Sequence, residues 1–138
     1  MKTYNLFISH SWAYRDTYDR LINLLNKNPY FHYKDYSVPK EDQIHTSGTD
    51  SELYEAIKRK INQTNVVVIL AGVYATYSKW INKEIEIAQK EFLLPKPILA
   101  IQPFAAEKTS QIVKEAADEI VKWNTNSIIT GIHDLADK

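Results

Sequence analysis

The chain contains no cysteine. That excludes disulfides, thiolate nucleophiles and cysteine-ligated metals, and it suits a cytoplasmic protein. Glycine is scarce as well: Gly48, Gly72 and Gly131 stand alone and far apart. A glycine-rich phosphate loop is therefore excluded, and with it a dinucleotide-binding dehydrogenase site. Charge of either sign is not in excess, because 17 basic residues balance 17 acidic ones. Such a chain lacks the broad basic field of a nucleic-acid binder, so no nucleic-acid partner is expected. No apolar run approaches the roughly 18 residues of a membrane span, and no charged-then-apolar leader opens the chain. No membrane partner is expected either. His32, His45 and His133 have no second histidine at metal-ligand spacing, so no metal is implied. There is no internal repeat and no low-complexity segment.

What is present is an ordinary globular composition, with 44% hydrophobic and 25% charged residues over 138 positions. That length predicts a single domain over residues 1–138. Tyr4–Ser9 is a short apolar run and reads as strand one. From Ser11 to Lys27, Tyr14, Tyr18, Leu21, Ile22 and Leu25 recur at helical spacing until Asn28-Pro29 stops the pattern. Phe31–Ser37 alternates aromatic and polar residues, which predicts an edge strand wet on one side. Val38–Gly48 is polar and reads as a long loop. Thr49 and Glu52 have the spacing of a capping box, and Leu53, Ile57 and Ile61 mark the helix that follows.

Val66–Ala71 is a continuous apolar run, as in a central parallel strand covered on both faces. A helix then opens at Ser78, a good N-cap, and ends before Pro95. Pro97–Gln102 predicts another strand. Thr109–Trp123 carries Ile112, Val113, Ala116, Ile120 and Trp123 at helical spacing. Ser127–Thr130 reads as the last strand, and Gly131–Lys138 as a helical turn or frayed tail. Strands and helices alternate, which predicts an α/β fold: a three-layer, flavodoxin-like arrangement with a five-stranded parallel sheet in the order 2-1-3-4-5. Ligands of such sheets bind at the switch point, here outside the carboxyl ends of strands one and three.

The Ser78 helix holds the residue that fits its surroundings least. On a wheel of about 100° per residue, Trp80, Ile81, Ile85, Ile87, Ala88 and Phe92 share one broad arc. Glu84 falls inside that arc and Glu86 on the far side. A carboxylate within an apolar arc is costly unless it is paired or used. Glu91 lies near Trp80 on the wheel but about 10 Å beyond Glu84 along the axis, away from the strand ends.

The run Ser78-Lys79-Trp80-Ile81-Asn82-Lys83-Glu84, placed after a strand, resembles the Ser-x-Trp-x-x-x-Glu motif of the TIR domain family. Phe7-Ile8-Ser9-His10-Ser11 looks like the opening strand and loop of that family. The chain is most similar to bacterial TIR-like proteins of the Thoeris anti-phage type, over its first two-thirds more than its last third. It departs from the pattern at Ile81, where the family usually has a cysteine or a small apolar residue. In NAD-cleaving members the glutamate of this motif is catalytic. The resemblance thus implies that Glu84 is the catalytic carboxylate, that NAD+ is a substrate with no separate cofactor, and that the product is a nucleotide signal. It also implies a homo-oligomer or TIR–TIR assembly.

Each candidate has a plainer role beside the functional one. Glu84 could answer the helix macrodipole or pair with Lys79 or Lys83. Alternatively it holds a ribose and stabilises a developing oxocarbenium ion. Trp80 suits a core position and also the wall of a pocket. Ser9, His10 and Ser11 stand at the switch point, where they could touch ribose or phosphate, or cap the first helix and turn the chain. Asp35 and Ser37 close the edge strand, either blunting it or reaching a nucleotide. Tyr74 and Tyr77 could stack on a base or pack.

Four functions compete. The first is an NAD+ nucleosidase or ADP-ribosyl cyclase. The second is a TIR-like module that senses a nucleotide or recruits proteins without catalysis. The third is a nucleoside deoxyribosyltransferase, which shares the fold class and a glycosidic carboxylate. The fourth, a phospho-acceptor receiver, needs clustered acids after strand one and a lysine after the last strand. Ser9-His10-Ser11 supplies no acids and no lysine lies near Ser127–Thr130, which argues against it.

Overall fold

The computed structural model describes residues 2–9, 15–37, 50–71, 79–102 and 111–137, with the backbone alone at residues 15, 50, 79 and 80. The strands are β1 (Thr3–Ser9), β2 (His32–Asp35), β3 (Val66–Leu70), β4 (Ile98–Ile101) and β5 (Glu119–Val121). The helices are α1 (Arg15–Asn26), α2 (Asp50–Asn62), α3 (Lys79–Lys90), α4 (Gln111–Ala116) and α5 (Thr125–Ala136). The sheet has five parallel strands in the order β2-β1-β3-β4-β5, as the alternation predicts. Right-handed crossovers put α1 on one face and α2, α3 and α4 on the other. The last helix, α5, returns to pack on α1, β4 and β5.

β3 is buried at every position because helices cover both faces, and this is why its sequence does not alternate. β2 pairs only with β1 and is wet at the edge. In α3 the wheel holds: Ile81, Ile85, Ile87 and Ala88 are buried and Glu86 is exposed. The core runs through Phe7, Leu21, Ile57, Val67, Leu99 and Ile128. Full burial of each such side chain is worth about 1.5–3 kcal/mol.

The end of the chain differs from the expectation. The segment expected as a helix over Thr109–Trp123 is only α4 followed by β5. Asp118 makes the break: its backbone N–H donates to Ile98 O, and its Oδ2 accepts from the Ile98 N–H, both at 2.8 Å. Those bonds dock the next residues beside β4. The expected strand Ser127–Thr130 lies inside α5 instead. Asn124, extended at φ −155° and ψ 155°, accepts from the Ser127 N–H and caps the helix. Ile128, Ile129, Ile132 and Leu135 then form its buried stripe, and the stretch expected as a helical turn or frayed tail is helical through Ala136 and part of the core. Gly131 lets this helix come close, since a Cβ there would stand 2.9 Å from both Leu99 Cδ1 and Glu119 Oε2. One argument against a receiver falls with the misplaced strand, because Lys122 follows β5 directly. The other stands, because β1 still ends in Ser9 without clustered acids.

The expected loop Val38–Gly48, the Thr49 cap and the Ser78 cap lie outside the described residues. Among the described residues, no helix is long and apolar enough to cross a membrane.

Candidate functional site

β1 and β3 are adjacent although helices and a strand separate them in the chain, and Ser9 faces Ile69 in register. Ser9 is the last residue of β1, so it stands at the switch point of the sheet. Its side chain is on the face covered by α3. Glu84, in the second turn of α3, meets it there: the Ser9 hydroxyl donates to Glu84 Oε1. Glu84 is 0% exposed and Ser9 1% exposed, so this contact is closed to bulk water. A hydrogen bond to a carboxylate in such surroundings is stronger than one in water, and it fixes the orientation of the group.

A second carboxylate on the same side, Glu91, is held differently. Glu91 lies beyond the end of α3 and pairs with Lys58 at 3.0 Å. The Lys58 ammonium beside it holds its carboxyl below the usual range. It belongs to the contact between α2 and α3 rather than to the strand ends.

Ser37 and Asp35 are brought near the same strand from the other side. Asp35 Oδ1 accepts from the Ser37 N–H at 2.8 Å and from the Ser37 hydroxyl. Asp35 Oδ2 accepts from the Tyr18 hydroxyl of α1. The Ser37 Oγ accepts from the Ile8 N–H at 3.2 Å. Burial, then the bond to Asp35, raises the Tyr18 phenol above its ordinary range. Ser37 thus uses its hydroxyl on the protein, in both directions. The role of Tyr18 is not read from the sequence, where it counts only as part of an apolar stripe. The available signal is general: a tyrosine on a buried stripe needs a partner for its O–H.

His10, Ser11, Tyr74 and Tyr77 lie outside the described residues. So does the side chain of Trp80, whose backbone is in the first turn of α3. Among the described residues, no cluster of three or more His, Asp or Glu side chains could hold a metal ion.

Comparison with known proteins adds a family to this geometry. The family model for the TIR-like domain of the Thoeris protein ThsB matches residues 7–108. The chain belongs to the ThsB TIR-like domain family. The match takes in the end of β1 with Ser9 and the whole of α3 with Glu84, both parts of the buried contact. In solved structures the fold is similar to that of the IL-17 receptor B SEFIR domain. That likeness has a TM-score of 0.56 at 10% identity and covers 98% of this chain and 96% of that chain. No curated protein matches the chain in sequence. The part of this ThsB-type domain beyond the family match holds α4, β5 and α5, where the sequence pattern also misleads.

Proposed function

We propose that this ThsB-type TIR-like domain is an NAD+ nucleosidase or ADP-ribosyl cyclase that makes a nucleotide signal in bacterial anti-phage defence. The observation that carries the reading is Glu84, a fully buried carboxylate held by the Ser9 hydroxyl at the switch point. A buried carboxylate is costly to keep, and its position beside the strand ends is where ligands of such sheets bind. In the proposed reaction the bond between ribose C1′ and the nicotinamide nitrogen breaks, and its electron pair leaves with nicotinamide as a neutral base. Little acid assistance is needed. The developing positive charge on the ribose is met by the Glu84 carboxylate, whose placement costs no reorganisation during the step. Attack at C1′ by water gives ADP-ribose, and attack by another atom of the same nucleotide gives a cyclic product.

His10, Ser11, Trp80 and Tyr74 are proposed to contact the substrate at the same mouth. Ser9 orients the carboxylate. NAD+ is the substrate and no further cofactor enters. The protein works in the cytoplasm as a homo-oligomer or TIR–TIR assembly. The test is incubation with NAD+ and mass spectrometry of the products, at low and high protein concentration and with candidate triggers. Free nicotinamide with a matching ADP-ribose-derived product is expected. Intact NAD+ under every condition, with nucleotide binding retained, would replace this reading by a sensing module.

A further inference from the structure

β1 outruns the strand beside it. The β1–β2 register ends at Leu6↔Asp35, and the Tyr36 N–H still donates to Leu6 O at 2.8 Å. In a parallel ladder every second residue of a strand faces the same neighbour, so the next to look toward β2 is Ile8. Among the described residues, no strand carbonyl is seen to take its N–H there. The Ser37 Oγ does so instead, at 3.2 Å. One residue further on is Ser9, whose hydroxyl holds Glu84.

The orientation of the Ser37 hydroxyl in this substitute bond is set by Asp35. A serine hydroxyl has one proton and two lone pairs. Because its proton is given to Asp35 Oδ1, a lone pair remains for the Ile8 N–H. Asp35 is held in turn by the Ser37 N–H and by Tyr18 from α1. The peptide plane before Ile8 is thereby fixed from the β2 side, while β3 fixes Ser9 from the other.

We propose that Ser37 and Asp35 are positioning residues for the reaction at Glu84. They hold the last residues of β1 in strand geometry, and through them the Ser9 hydroxyl on the carboxylate. This rests on the reading of Glu84 given under Proposed function. Displacement of a catalytic group by about 1 Å costs on the order of 100-fold in rate, so loss of one anchor at the strand end should be visible in turnover.

The experiment compares Ser37→Ala and Ser37→Thr in the full chain, under conditions where the wild type turns over NAD+. Three quantities are read: kcat and KM, the exchange rate of the Ile8 amide, and the carboxyl carbon shift of Glu84 by NMR. Ser37→Ala should speed exchange at Ile8, move the Glu84 signal and lower kcat about tenfold with KM little changed. Ser37→Thr, which keeps the hydroxyl, should restore all three. Faster exchange at Ile8 with wild-type kcat would overturn the proposal, and so would unchanged exchange. If the wild type never cleaves NAD+, it is the reading of Glu84 that fails. The positioning claim is then decided by the Glu84 signal alone: moved by Ser37→Ala and restored by Ser37→Thr supports it, and unmoved refutes it.

Discussion

Two serine–carboxylate pairs flank the end of β1, and they sit in opposite surroundings. Ser9 and Glu84 are closed off between the sheet and α3. Ser37 and Asp35 lie at the wet edge of the sheet. The chemistry of the contact is the same, a hydroxyl donating to a carboxylate. The dielectric around it is not, and that decides how much each pair matters. In the open pair, water can replace either partner. In the closed pair, a lost partner leaves a group with far fewer substitutes.

Adding a second carboxylate to each pair should separate the two most. Ser9→Asp would set two acids against one another in a buried space. It should cost about 3–5 kcal/mol or prevent folding, read from the urea midpoint or from soluble yield. Ser37→Asp should cost about 1 kcal/mol or less, because solvent screens the pair. Equal costs would mean that burial does not separate the two pairs.

Truncation should give a smaller contrast in the same direction. Ser9→Ala removes a donor from a buried charged acceptor and should lower stability by about 1–3 kcal/mol, whereas Ser37→Ala should cost about 1 kcal/mol or less. Urea denaturation measures both.

Alkaline pH sharpens the comparison from the edge. Tyr18 has its folded pKa raised above the ordinary 10.0 by burial and by Asp35. Its contribution is therefore fully present below pH 10 and is lost as pH rises toward the folded value, since the unfolded chain ionises first. Stability should decline above pH 10, and Tyr18→Phe should make that decline shallower. Melting temperatures from pH 8 to about 11 test this. The smallest effect belongs to Lys58 and Glu91. Lys58→Met should lower the melting temperature slightly at low salt and less at high salt, because the pair is still partly open to solvent.

The fold was largely legible because its centre follows simple patterns. The continuous apolar run at Val66–Leu70 suits a strand covered on both faces, and the arc of α3 exposes Glu84 as out of place. The far end was not legible, because β5 has three residues and an exposed Ile120. Nothing in so short an edge strand distinguishes it from the last turn of a helix. Ser127–Thr130 misled because a short β-branched run suits a buried helix equally well. Asn124, three residues before Ser127, was the cap that could have corrected it. In the site, the switch-point topology alone implies that Ser9 and Glu84 approach one another. The links among Tyr18, Asp35, Ser37 and Ile8 were hidden, because they depend on where one strand stops against another.

The central claim is that the charge of Glu84 drives cleavage of NAD+. The direct measurement is the turnover of Glu84→Gln, with Glu86→Gln as control, under the condition that elicits wild-type activity. Gln keeps the size and an oxygen that can accept from Ser9, and it removes the charge. The account predicts a fall of about 100-fold or more for Glu84→Gln with little change in melting temperature, and near wild-type turnover for Glu86→Gln. Activity that survives in Glu84→Gln, or that falls equally in Glu86→Gln, would contradict it.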